Sequence, residues 1–221
     1  MIKSDTLPLF PLPMLILPGE CAGLHIFEPR YRDMLADCLQ NPRPEGDFVI
    51  VYSNGDQTEE LACAVRIERV LQQHEDGRAD ILIRGVQRVF IQTRVQIHAY
   101  DSARVEAVPD LQPDWDEQLA THVYALHRQM LLIATGDEPS DRIYENHTSL
   151  AFAIAALSGF PLEGKQQLLA MRDEGDRLLR VKAHLETMIP LMQRLLPAWK
   201  EMLGNYALAQ IALANPDDQT D

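Results

Sequence analysis

Residues 23–39 read Gly-Leu-His-Ile-Phe-Glu-Pro-Arg-Tyr-Arg-Asp-Met-Leu-Ala-Asp-Cys-Leu, and a chain carrying them has few ways to fold there. Leu24, Ile26 and Phe27 form a short apolar strand that must turn at once into a helix. Glu28 puts a carboxylate at the helix start, where unpaired backbone N–H groups and the helix dipole favour negative charge. Pro29 suits the first helical position, because its ring presets φ and its missing N–H had no partner there. Tyr31, Met34, Leu35, Cys38 and Leu39 then recur at helical spacing and make one apolar face. Pro42 and Pro44 end the pattern. Phe27, Met34 and Leu35 are therefore expected in the core, and truncating Phe27 should cost roughly 3–5 kcal/mol.

Upstream, residues 5–18 carry Pro8, Pro11, Pro13 and Pro18. Proline donates nothing to a ladder, so this segment is expected at a sheet edge or around a barrel rim. Downstream, residues 48–52 read as a compact strand and residues 61–71 as a longer one. The Asp-Gly turn in residues 74–78 predicts a hairpin to the next strand. Residues 81–83 and 88–97, separated by Gly85, and residues 100–108 complete six or so short strands. Such a set forms a coiled sheet or partly closed barrel.

Past Pro109 and Pro113 the periodicity becomes helical. Asp114, three residues before Glu117, resembles a capping box, and Leu119, Val123, Leu126, Met130 and Leu131 follow on that helix. Residues 149–157 are apolar nearly all round, which reads as a buried helix stopped by Gly159 and Pro161. Residues 163–171 make another short helix. The last helix begins near Asp173 and carries Leu178, Val181, Leu185 and Met188 on one stripe. It is expected to kink or break at Pro190 before a second piece with Leu195, Leu196 and Trp199. The expected class is α+β, with a β-rich domain over 1–110, a helical subdomain over 111–214 and a disordered acidic tail over 215–221.

The net charge of −13 is shared by both halves and opposes nonspecific binding to nucleic acid or an anionic membrane. Cys21, Cys38 and Cys63 show neither zinc spacing nor a disulfide framework, which fits a reducing compartment. The apolar run at residues 7–17 is broken by prolines, so neither a signal peptide nor a bilayer span is expected, and the protein should be cytoplasmic. Gly159-Phe-Pro-Leu-Glu-Gly-Lys165 matches seven positions of a phosphate-binding loop. Gln166 then stands where a hydroxyl should hold magnesium, and a helix precedes the run instead of a strand. It is read as a helix stop and a helix start. His25 has no second ligand at metal spacing other than Glu28, and His122 and His127 do not share a helix face. No residue is assigned as catalytic, cofactor-binding or metal-ligating.

Glu28, Arg30 and Arg32 are read first as a cap with local ion pairs. The functional alternative is that Arg30, Tyr31 and Arg32 border a groove for extended peptide, with Tyr31 offering an amphipathic contact. Exposed backbone beside the proline-rich strand would then accept an added peptide strand.

The first hundred residues resemble the Lon protease N-terminal domain, also called the Lon substrate-binding domain. The matching stretches are Leu7-Pro-Leu-Phe-Pro-Leu12, Leu17-Pro-Gly19, and above all Leu24-His-Ile-Phe-Glu-Pro-Arg-Tyr-Arg32 with Met34-Leu35. Asp76-Gly-Arg78, Gly85-x-x-Arg88 and Ala103-x-Val105-Glu106 follow in the family's order. Ala62-Cys63 and Val89-Phe90 depart from its usual residues and are read as local repacking. The resemblance implies a PUA-like β pseudo-barrel with one packed helix, followed by a C-terminal helical bundle. Pro18, Gly19, His25, Phe27, Glu28 and Pro29 would be its structural motif. It also implies a non-enzymatic, bacterial-type module of protein quality control that engages unfolded or exposed apolar polypeptide. The implied partner is an ATP-dependent protease or chaperone, since a chain of this length leaves no room for Lon's own ATPase and peptidase. The alternative is a small-molecule-binding or interaction scaffold. An aromatic cage for that role would need Trp115 or Trp199, both in the helical part.

Overall fold

The computed structural model describes residues 5–43, 46–54, 58–96, 98–111, 116–145 and 147–214, with side chains from residue 6 to residue 196. Six strands come first: β1 (Asp5–Leu12), β2 (Cys21–Ile26), β3 (Phe48–Tyr52), β4 (Leu61–Gln73), β5 (Ala79–Val95) and β6 (Ser102–Ala107). Helix α1 (Pro29–Gln40) lies among them. Helices α2 (Glu117–Thr135), α3 (Leu150–Leu157), α4 (Leu162–Ala170) and α5 (Glu174–Ala214) follow, with a short 3-10 turn at Asp141–Tyr144.

β5 organises the sheet. The strand order is β2-β5-β4-β3-β1-β6, and β5 also pairs with β6. Its first half bonds β2, from Ile26↔Ala79 to Cys21↔Arg84. Its second half bonds β6, from Val89↔Ala107 to Val95↔Ser102. The β5–β6 pairing closes β1, β3, β4, β5 and β6 into a ring and leaves β2 outside it. The α+β class with a pseudo-barrel is thus the observed one.

All five ring strands fill the ring's interior, with Leu7, Leu9, Val49, Val51, Ala62 and Val89 among its buried residues. Residues of β1, β3, β4 and β5 also face a second core, in which Phe10, Phe48, Ile50 and Val65 meet Tyr31, Met34, Leu35 and Cys38 of α1. β3 is buried on both faces, which is why Phe-Val-Ile-Val-Tyr is apolar throughout.

Five expectations need correction. β1 is not an edge strand, because it lies between β6 and β3. Residues 5–8 pair antiparallel with β6 and residues 9–12 pair parallel with β3. The strand changes neighbour midway, so Pro8 and Pro11 each serve a ladder on one side only. Second, residues 81–83 and 88–97 are not separate strands. β5 runs unbroken through Gly85, where the chain around Leu17 crosses so closely that a Cβ would overlap the Leu17 carbonyl. Gly85 also donates its N–H to Glu20 O (2.9 Å) and accepts from Gly19 N–H (2.8 Å).

Third, Phe27 is 58% exposed. Strand alternation sends Ile26 inward and turns its neighbour out. Leu39 is exposed as well, while Tyr31, Met34, Leu35 and Cys38 are buried as expected. Fourth, α2 is capped by Asp116, whose side chain accepts from Gln118 N–H (2.8 Å), two residues beyond the expected start. Asp114 and Trp115 lie outside the described residues. Fifth, the break allowed for at Pro190 does not occur: α5 is one helix from Glu174 to Ala214. Leu185 and Ile189 are buried just before the proline, and that packing outweighs one lost helical hydrogen bond. The Trp199 side chain and residues 215–221 lie outside the described part.

The helices form a third core around Val123, Phe152, Ile154, Leu168 and Leu178, into which the link after β1 inserts Leu15 and Leu17. Polar joints fix this layer to the barrel. Arg88 of β5 is buried and donates to Leu169 O (3.0 Å) and Met171 O (2.5 Å) at the end of α4, and it pairs with Asp110. Arg177 of α5, with no exposed surface, bonds Asp110 (2.9 Å) and Glu174 (2.6 Å) and lies 4.5 Å over the Phe152 ring. Lys165 pairs with Glu20 (2.6 Å). The His147 ring packs on Gly19, where a Cβ would stand 2.7 Å from Cε1.

Candidate functional site

Two surface regions combine apolar and polar groups in ways suited to binding. One lies where β2 runs into α1. Exposed Phe27 stacks on His25, with centroids 5.8 Å apart. His25 Nδ1 lies 2.7 Å from Asp80 Oδ1, and His74 Nε2 lies 3.8 Å from the other oxygen of the same carboxylate. The hydrogen bond from His25 and the nearby imidazoles hold the Asp80 carboxyl below its usual range. Sequence spacing could not reveal this cluster, because His25 and Asp80 meet only through the β2–β5 register.

Of the three residues expected to border a groove, Arg30 and Tyr31 line one depression and Arg32 stands apart from it. Arg30 is exposed, donates from Nε to Glu28 Oε2 (3.0 Å) and lies 4.5 Å over the Tyr31 ring. Tyr31 is buried, not a projecting contact, because its position on α1 faces the core against Phe10 at 4.3 Å. Burial raises its phenol pKa, with Glu28 and Asp101 adding to the rise and Arg30 opposing it. Arg32 is half-buried and tied to Asp76 O in the β4–β5 turn. Of the other motif residues, Pro29 opens α1 behind Glu28, which makes no side-chain cap bond, and Pro18 and Gly19 sit at the barrel–helix joint. A depression of about 270 Å³ remains beside Phe27, walled by Phe10, Leu12, His25, Arg30 and Tyr31.

The second region is a groove of about 380 Å³ in the helical layer. α2 contributes Met130 and Leu131, the end of α3 contributes Leu157, and α5 contributes Met188, Met192 and Leu195. Leu157 is 49% exposed and Leu195 42%. The apolar stripe of α5 was legible, but its continuation past the core into an open groove was not. The signal was present in α3, which is too apolar all round for a helix that ends at the surface.

Other chemistry is accounted for locally. Burial pushes the Cys38 and Cys63 thiols up to about 12, so both stay protonated and inert. Lys165, the lysine of the phosphate-loop look-alike, is ion-paired with Glu20, and α3 precedes that run. His127 is buried on α2 and its ring meets Tyr144 Oη at 2.9 Å. Burial lowers its pKa to about 4. Among the described residues, no three His, Cys, Asp or Glu side chains are grouped to hold a metal, and no helix is long and apolar enough to cross a membrane.

A β ring with an outer strand, a layer of helices against it and apolar surface depressions define an α+β binding fold. The chain belongs to the substrate-binding domain family of ATP-dependent protease La (LON), whose pattern matches residues 6–187. A solved Lon N-terminal domain protein from Xanthomonas campestris is 25% identical, with a TM-score of 0.62 over 81% of this chain and 98% of that one. The N-terminal domain of Lon protease from the Mycobacterium avium complex superposes with a TM-score of 0.66 over 82% of this chain and 98% of that one. At 18% identity the latter likeness is one of fold alone. No curated protein matches the chain significantly.

Proposed function

We propose that this protein is a polypeptide-recognition module that engages unfolded or exposed apolar protein segments for protein quality control. The observation that carries this reading is the helical groove, whose lining is apolar and rich in methionine. Methionine side chains are flexible and polarizable, so a groove built from them repacks around varied apolar sequences. Leu157 and Leu195 add open apolar area at its rim, where an isolated solvated surface would gain nothing from them. Membership in a substrate-binding domain family supports the same reading.

The test is a titration with reduced, carboxymethylated α-lactalbumin, which is permanently unfolded. Saturable binding is expected. Leu157→Asp and Leu195→Asp should each weaken it tenfold or more in variants that remain folded by circular dichroism, since about half of each side chain is already exposed. Absence of saturable binding, or wild-type affinity in both variants, defeats the reading.

A further inference from the structure

Among the described strands β2 is the one with a single neighbour, so one of its sides is an open edge along its whole length. β6, at the other end of the strand order, turns back onto β5, whereas β2 is bonded to β5 alone. The direction of its amides follows from the ladder. Gly85 N–H donates to Glu20 O, and the register from Cys21↔Arg84 to Ile26↔Ala79 continues from that pair without a bulge. Bonded and non-bonded pairs alternate in an antiparallel ladder. Ala22, Leu24 and Ile26 therefore turn their backbone groups toward β5. Cys21, Gly23 and His25 turn theirs away, and all three residues are exposed. No described backbone group from a turn, loop or cap bonds them.

Open edges are ordinarily guarded by lysine, proline, an inward charge or a bulge. The strand Cys-Ala-Gly-Leu-His-Ile has none of these. Its glycine is not required by the protein's own packing, because a Cβ on Gly23 would meet nothing within 4 Å. What the glycine does is keep the middle of the edge clear. At the strand's C-terminal end lies the depression of about 270 Å³ beside Phe27.

We propose that β2 is a strand-addition site, at which an extended polypeptide segment pairs with the backbone of Cys21, Gly23 and His25. One apolar side chain of that segment fills the depression between Phe10, Leu12 and Phe27. The inference rests on the polypeptide-recognition reading and adds a backbone-directed contact to the side-chain contacts of the helical groove. Only an extended chain presents donors and acceptors at the required spacing, and it does so whatever its sequence. A second copy of β2 fits less well. Its Ile26 is buried and its Leu24 packs on the core, so it offers only Cys21, Gly23 and His25 at open positions.

Amide hydrogen exchange on the full chain, with and without reduced, carboxymethylated α-lactalbumin, tests this. The Gly23 and His25 amides are expected to slow tenfold or more at saturation, while those of Ala22 and Leu24 are already protected. Gly23→Pro removes an outward donor without touching the β5 ladder, and Gly23→Lys places a charge on the edge. Each should weaken binding at least tenfold, and Gly23→Ala should retain it. Binding with slowed exchange confined to groove residues such as Leu157 and Leu195 overturns strand addition and leaves the functional reading intact. No binding overturns both. Slowing of Gly23 at high protein concentration without the probe, together with a dimer mass, assigns the edge to a second copy and also overturns the proposal.

Discussion

His127 shows how burial alone sets a residue's chemistry. Its Nδ1 meets the Tyr144 hydroxyl at 2.9 Å, and its Nε2 is buried without a hydrogen-bond partner. A second ring proton would have no acceptor there, so the folded protein holds the imidazole neutral with a pKa near 4. The unfolded chain protonates near the ordinary value of about 6.5. Between those two values the unfolded state binds the extra proton, so stability rises with pH across that window. Wild type is expected to lose about 2 kcal/mol from this group between pH 7 and pH 5. Urea denaturation at both pH values, compared with His127→Asn, measures it; the variant should lack that part of the loss. Phe27 is the opposite case. Its apolar character suggested the core, yet it sits one residue past the inward Ile26 and is exposed. Hydrophobicity says what a side chain prefers, whereas strand phase decides which way it points.

Among the elements, β5 explains why a run of short apolar segments became a closed ring. Its length lets one half hold β2 while the other half closes on β6. Gly85 was legible as a break between strands because glycine commonly marks one. Here it marks a close approach: the link carrying Ile16 and Leu17 passes over the strand, with the Leu17 carbonyl carbon 2.9 Å and Ile16 Cγ2 3.0 Å from where a Cβ would lie. Gly85→Ala is expected to destabilise the protein by about 3 kcal/mol through this overlap. Chemical denaturation reads that loss, and a change under about 1 kcal/mol would show that the link shifts without cost. The proline-bearing β1 follows similar logic. Its prolines correctly forbade a two-sided ladder, but an internal strand that changes partner midway never needs one.

For the molecule as a whole, the joint between barrel and helices depends on charges that no local pattern revealed. Arg88 of β5, Asp110 of the link after β6 and the Glu174–Arg177 pair of α5 come from three parts of the chain and meet around Phe152. Two buried guanidiniums share one Asp110 carboxylate, which is itself partly open to water. Asp110→Ala should cost roughly 3 kcal/mol, since it leaves Arg88 without its carboxylate and Arg177 with only Glu174. Thermal and denaturant unfolding check this, and an unchanged midpoint would mean that water replaces the carboxylate.

Local rules were sufficient wherever neighbours in sequence are also neighbours in space. The buried face of α1, the Asp-Gly hairpin between β4 and β5, the apolar α3 and the run of strands before helices all follow from periodicity and turn chemistry. The family-bearing stretch at residues 23–39 belongs to the same group in its strand, corner and helix, with Phe27 and Leu39 the exceptions. Long-range register was required for the rest: the closing of the ring, the open edge of β2, the pairing of His25 with Asp80 and the methionine groove. Each brings together residues far apart in the chain, and their spacing in sequence carries no information about distance in the fold.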